Sequence, residues 1–264
     1  MKPTFQEKMD RAWPIFEKAL ARERASGLGK TLSVIKEAFI VRELHAAARQ
    51  VFVDGKWNDA ITEPGQLGTI VVTRATREYT PGVATGLKEL VSSVVLSVDF
   101  LESSDVAVES AAVKLARAAI QQQIDYVVAV LLKGMEGDEV PAASAEEIMS
   151  EAHDALTAGE PARLTVLINN HTARSLEPGS PARKNVDSVL QDGRLLVIDN
   201  ANLEKLVLVV LPQPDGLYWS SALDLVLGWD PSPPNNASIA ILSRFLVQTP
   251  AQGLLGYLGR TRTS

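Results

Sequence analysis

The stretch from Val106 to Leu132 constrains the fold more than any other part of the chain. Val108, Leu115, Ala119, Ile124, Val127 and Leu131 lie along one helical stripe. The spacing predicts a helix over 106–132, about 40 Å long at 1.5 Å of rise per residue. Ser103 or Ser104 suits its N-cap, and Gly134 and Gly137 suit its stop. A fold must be built around this rod, and the segments on either side of it decide the class.

Upstream, Thr4 and Glu7 have capping-box spacing, and Phe5, Met9, Ala12, Phe16 and Leu20 follow at helical intervals. Pro14 falls inside that pattern and predicts a kink or a restart; Gly27 and Gly29 end it. Such an amphipathic N-terminal helix either packs on its own domain or docks on a neighbour. Leu32 to Val53 is apolar-rich and helical at first, up to a turn at Asp54-Gly55. From Trp57 to Gly86 the character changes. Pro64-Gly65, Gly68, Pro81-Gly82 and Gly86 punctuate β-prone stretches, the clearest being Thr69 to Arg77. These carry too few apolar residues to bury both faces, so a hairpin here needs another surface to lie on. Leu90 to Val98 reads as a strand and Asp99 to Asp105 as a polar hinge.

Downstream, Ser144 and Glu147 form a second capping box, ahead of a helix carrying Ile148, Ala152 and Leu156 and ending near Gly159. Leu164 to Asn169 is a buried-type strand, and Asn170 caps a short helix through Leu176. A loop follows from Glu177 to Pro181. Leu195 to Ile198, Leu206 to Leu211 and Ser238 to Val247 read as strands, and Pro212 to Gly216 as a turn. Tyr218 to Trp229 fits either a strand or a short helix. Asp230 to Asn236, with three prolines, is a stiff loop, and the tail beyond Gly259 frays. There is no internal repeat. The order is α+β, not a regular βαβ series.

Composition excludes several functions. The net charge is −6 and the 26 basic residues are scattered, without the basic stripe of a dedicated nucleic-acid-binding domain. There is no cysteine, hence neither a disulfide framework nor a cysteine-based metal site. No apolar run reaches the eighteen residues of a membrane span, so no membrane partner is expected.

Candidate chemistry is sparse. Gly27-Leu28-Gly29-Lys30-Thr31 has the ending of a phosphate-binding loop, but the glycine that the motif needs at position 24 is Arg24, and a polar helix rather than a strand precedes it. His45, His153 and His171 have no metal-ligand spacing. Ser220-Ser221 lacks a nucleophile-elbow context. Trp13, Trp57, Trp219 and Trp229 read as core or interface anchors. We therefore expect no catalytic residue, no cofactor-binding residue and no metal ligand, hence no enzyme and no cofactor.

Several phrases in order resemble the tailed-phage major capsid proteins, whose Hong Kong 97-type fold is shared with encapsulin nanocompartments. Leu96-Ser97-Val98-Asp99-Phe100-Leu101-Glu102-Ser103-Ser104-Asp105 is similar to the junction before that family's long helix. Val106 to Leu132 with Lys133-Gly134 is similar to the helix itself. Leu164 through Leu176 resembles the family's strand, asparagine and short helix, and Ser238 to Gly253, with Arg244 and Pro250, its late strand. The resemblance implies an N-terminal arm at 1–40 and an extended β E-loop at 50–88. It implies a P-domain from 41–49 and 89–141 around a spine helix at 106–132. An A-domain at 142–250, with strands returning to the P-domain, and a C-terminal tail at 251–264 complete it.

The implied function is a major capsid protein self-assembling, as hexamers and pentamers, into an icosahedral shell around a double-stranded DNA phage genome. The alternatives are an encapsulin-type shell around a cargo enzyme and, from another class, an uncatalogued α+β enzyme. The implied location is the virion, after assembly in the host cytoplasm. Packaged DNA would be met without sequence readout; scaffold, portal and cement proteins are open as partners. The short N-terminal segment implies a separate scaffold protein or none. The family's Lys–Asn cross-link is not carried over, because nothing marks a partner for Lys56. Phe5, Met9, Phe16, Trp57 and Ile61 are the expected inter-subunit contacts.

Overall fold

The computed structural model describes residues 5–45, 51–53, 56–58, 70–71, 88–101, 104–135, 140–142, 144–158, 160, 162–190, 193–211, 217–230, 236–249 and 254–261. In chain order the elements are α1 (Phe5–Ala25), α2 (Gly27–Phe39), β1 (Ile40–His45), β2 (Val51–Val53), β3 (Lys56–Asn58), β4 (Ile70–Val71), β5 (Lys88–Ser97), α3 (Val98–Leu101) and α4 (Asp105–Lys133). Then come β6 (Val140–Ala142), α5 (Ala145–Thr157), β7 (Thr165–Asn169), α6 (Asn170–Ala173), α7 (Pro181–Leu190), β8 (Arg194–Ile198), β9 (Leu206–Val210), β10 (Leu217–Asp230), β11 (Asn236–Gln248) and β12 (Gly256–Thr261). The chain forms two units: Met1–Leu32, Glu43–Gln123 and Trp219–Leu246 make the first, and Ser33–Arg42, Ile124–Tyr218 and Val247–Ser264 the second.

In the first unit, α1 runs through the exposed Pro14 without a restart. Its apolar positions Met9, Ala12, Phe16, Ala19 and Leu20 are all buried. Arg11 pairs with Asp105 at 2.5 Å, Arg22 with Glu109 at 2.9 Å, and Glu23 with Arg117 at 2.9 Å, tying α1 to the first half of α4. The first two pairs are exposed and contribute less than about 1 kcal/mol each. Glu23 differs: its side chain is 5% exposed, so its charge needs the guanidinium. Of the two arrangements open for this helix, packing on its own chain is the one observed. Met9 and Phe16, two of the expected inter-subunit contacts, are 2% and 1% exposed and pack within their own unit.

The sheet of this unit has the order β1-β10-β11-β5, with β4 also on β10. β5 and β11 are antiparallel from Ser97 opposite Asn236 to Lys88 opposite Phe245. Trp219 stacks on Phe245 with ring centroids 4.3 Å apart, and both are fully buried. The ambiguous Tyr218–Trp229 stretch is strand, with Leu225 at a positive φ of 51°. The Leu225 N–H donates to Ser243 Oγ at 3.3 Å and its carbonyl accepts from Arg24 at 2.9 Å, which holds the irregular residue in place. The register of β2 on β3 sets Val53 opposite Lys56, across the expected Asp54-Gly55 turn, which itself lies outside the described residues. So do most of Thr69–Arg77 and the turns at 212–216 and 231–235.

The second unit is a five-stranded sheet, β6-β12-β9-β7-β8, with β7 parallel to β8 and antiparallel to β9. Every residue of β7 is buried, which suits its unbroken apolar run. Ile148, Met149 and Ala152 of α5 and Val186 and Leu190 of α7 join Val166, Ile168, Val207 and Val209 in one core. The capping box of α5 is present in both directions: the Glu147 N–H donates to Ser144 Oγ at 3.2 Å, and the Ser144 N–H donates to Glu147 Oε2 at 3.0 Å.

Three expectations shift. The short helix is capped by Asn169 rather than Asn170, with the His171 N–H 2.8 Å from Asn169 Oδ1. A helix, α7, follows the 177–181 loop, where none was expected. The tail does not fray at Gly259: β12 pairs with β9 on one side and β6 on the other, out to Thr261. Gly259 weakens a strand in isolation but is required in this one, since a Cβ there would lie 2.5 Å from Ile148 of α5.

Candidate assembly surface

Among the described residues, β5 is the last strand of its sheet, bonded to β11 along one edge only. Burial alternates along it: Ser92 and Leu96 point inward, while Val91, Ser93, Val95 and Ser97 point out. Natural edge strands are blunted by lysine, proline or an inward charge. This strand opens on Lys88-Glu89 and from Leu90 to Ser97 has neither a charge nor a proline. Between β5 and α4 runs an open groove of about 1110 Å³, floored by small residues such as Ala107, Ala111 and Ala118.

The apolar exposure is concentrated here. Val91 is 41% exposed, Val95 63% and, on the first turn of α4, Val106 76%. Ser92 lines the same groove with its hydroxyl buried and without a hydrogen-bond partner among the described residues. Lys114 is the one charged residue of the lining, exposed and without an ion pair among the described residues. Exposed valines and a strand edge unpaired among the described residues suit burial against another polypeptide. Sequence periodicity had located the strand but not its outward face; the signal was the Val91-Ser92-Ser93-Val94-Val95 run with no guarding charge.

The other candidates disperse. Gly27, at φ 48°, separates α1 from α2, and a Cβ at Gly29 would come 2.3 Å from the carbonyl oxygens of Glu23 and Arg24. The Gly29 and Lys30 amides donate to Ser26 O, at 3.0 and 3.3 Å, so this is a tight helix corner and not a phosphate cradle. His153 lies 3.5 Å from Asp154, and His171 is exposed on α6. Among the described residues no three histidine or carboxylate groups gather as a metal site, and no helix is long and apolar enough to cross a membrane. Of the expected contacts, Phe5 opens α1 and Trp57 sits opposite Phe52 in the β2–β3 pair, with both side chains outside the described residues, as is Ile61 altogether.

No protein-family model matches the chain, and no curated protein matches it. Solved structures do. A virus-like particle from Pyrococcus furiosus is similar over 94% of this chain and 98% of that one, with a TM-score of 0.54 at 14% identity. The chain has the Hong Kong 97-type capsid fold. The capsid of a native GTA particle is similar over 88% of this chain and 91% of that one, at TM-score 0.49 and 15% identity. The capsid of cyanophage P-SCSP1u covers 74% and 82%, at TM-score 0.47 and 12% identity. At such identities the Hong Kong 97-type likeness concerns the fold, an α+β arrangement in which the unguarded β5 edge and its groove are features of this chain's own surface.

Proposed function

We propose that this chain is the building block of a closed shell: a major capsid protein that assembles, as hexamers and pentamers, around a double-stranded DNA phage genome. The observation that carries the reading is the near-complete cover in both directions, 94% and 98%, with the Pyrococcus furiosus particle. A fold alone does not fix function. The reading therefore also leans on the uncovered β5–α4 surface, which suits burial by a neighbour. On this reading α4 is the spine helix, α1 belongs to the N-terminal arm, residues 50–88 form the E-loop and 142–250 the A-domain. Trp57 and Ile61, in the E-loop, remain its inter-subunit contacts. Scaffold, portal and cement proteins are its prospective partners in the virion, assembled in the host cytoplasm. Packaged DNA would meet scattered Lys and Arg without base readout.

One observation favours a second reading, an encapsulin-type shell around a cargo enzyme: the neighbour at TM-score 0.54 is a virus-like particle. The test is to express the chain alone, purify particles by sedimentation and assay their contents. Nuclease-protected DNA supports the capsid reading, and co-purified enzyme without nucleic acid supports the second. A chain that stays monomeric at high concentration contradicts both.

A further inference from the structure

We propose that Met135 is an oxidation site, and that its sulfoxide loosens the entry of β12 into its sheet. The chain has four methionines. Met9 and Met149 are 2% and 0% exposed, inside their units. Met135, two residues beyond the end of α4, is half-buried, so an oxidant reaches its sulfur from solvent. The other side of the thioether rests on β12. A Cβ at Gly256 would come 2.3 Å from Met135 Cε and 2.5 Å from Sδ, so the thioether fills the space that this glycine leaves open. The Val209 carbonyl oxygen lies 2.9 Å from the same point, an acceptor that repels any oxygen placed beside it. Backbone bonds pin the same place: the Leu254 N–H donates to the Gly134 carbonyl at 3.3 Å, and the Leu211 N–H to the Leu255 carbonyl at 3.0 Å. Met135 thus covers the point where the chain enters β12, the strand held between β9 and β6. The oxidant is a peroxide. The sulfur lone pair attacks one peroxide oxygen, the O–O bond breaks as the S–O bond forms, and the second oxygen leaves as water with both peroxide protons. The sulfur loses two electrons and the peroxide gains them. An apolar, flexible end becomes a polar one that seeks water. Turning toward solvent draws it off Gly256 and uncovers the first residues of β12.

The test treats the full chain with hydrogen peroxide and reads, by mass spectrometry of its peptides, the gain of one oxygen at each methionine. Met135 should be oxidised well ahead of Met9 and Met149. Oxidation of Met135 no faster than of those two overturns the assignment. Amide hydrogen exchange then reads the strand. Oxidation should speed exchange across residues 256–258 of β12 and leave β7 unchanged, and a methionine sulfoxide reductase, which removes the oxygen, should restore the slow exchange. M135L keeps the apolar contact and lacks the sulfur, so peroxide should leave its β12 exchange as it was. Full oxidation of Met135 with no faster exchange in β12 overturns the proposal, and so does an equal response to peroxide in M135L. The comparison before and after oxidation, and after reductase, uses the parent chain alone and decides the matter if M135L folds poorly.

Discussion

At the scale of single residues, Tyr257 is the most informative titrating group. Its hydroxyl donates to Glu151 Oε2 at 2.7 Å. Burial first, then the hydrogen bond and the charge of Glu151, push the phenol from 10.0 up to about 12. A phenol with a raised folded value holds its proton more tightly when folded. The stability it contributes is complete below pH 10 and is lost as pH rises through about 12. Urea denaturation of Y257F across that window should show a shallower decline than the parent. Some decline persists, because burial also raises Tyr126. Equal slopes would mean that Tyr257 titrates as a free phenol. A second residue, Asn200, joins elements: its Nδ2 donates to Asp125 at 2.8 Å, its Oδ1 accepts from the Asn202 N–H at 2.9 Å, and it is 2% exposed. N200A removes both bonds, but Asp125 is only half-buried and Asn202 exposed, so water can replace them and the cost should be about 0.5–1.5 kcal/mol in chemical denaturation. A loss within error would assign the bonds to water.

At the scale of elements, the Ser144–Glu147 capping box predicts that S144A destabilises the second unit by about 1 kcal/mol. Circular dichroism melting measures it, and an unchanged melt would show the box to be redundant. This helix was legible because its start is written in side chains. The long helix was legible for the other reason: all six residues of its predicted stripe are buried, from Val108 to Leu131. The helix α7 was not, since Val186 and Leu190 are its only fully buried residues and carry too little periodicity. Its start was nonetheless present in Ser180-Pro181, where Ser180 Oγ accepts from the Arg183 N–H at 3.1 Å. Strand β12 was hidden by Gly256 and Gly259, which lower strand propensity for the sake of packing that only the tertiary structure reveals. The candidate surface was half legible: β5 could be read, its uncovered face and its edge position could not. On the E-loop reading, deleting residues 58–80 should leave α4 folded by circular dichroism but abolish closed particles. Normal particles, or a fully unfolded chain, would contradict it.

At the scale of the whole molecule, the described residues pair apolar interiors with an exposed apolar patch beside β5. The buried residues of both units are overwhelmingly apolar, and Glu23, a buried charge, has its arginine. Val91, Val95 and Val106 are exposed together beside a strand edge unpaired among the described residues, while Val197 and Leu255 are exposed elsewhere. On the proposed shell reading, adjacent copies cover that patch. The most direct measurement is cryo-electron microscopy of the purified chain expressed alone. The account predicts closed icosahedral particles in which every subunit places β5 and α4 against density from an adjacent copy. A uniform monomer, or a particle whose β5–α4 groove faces solvent in every subunit, would contradict it.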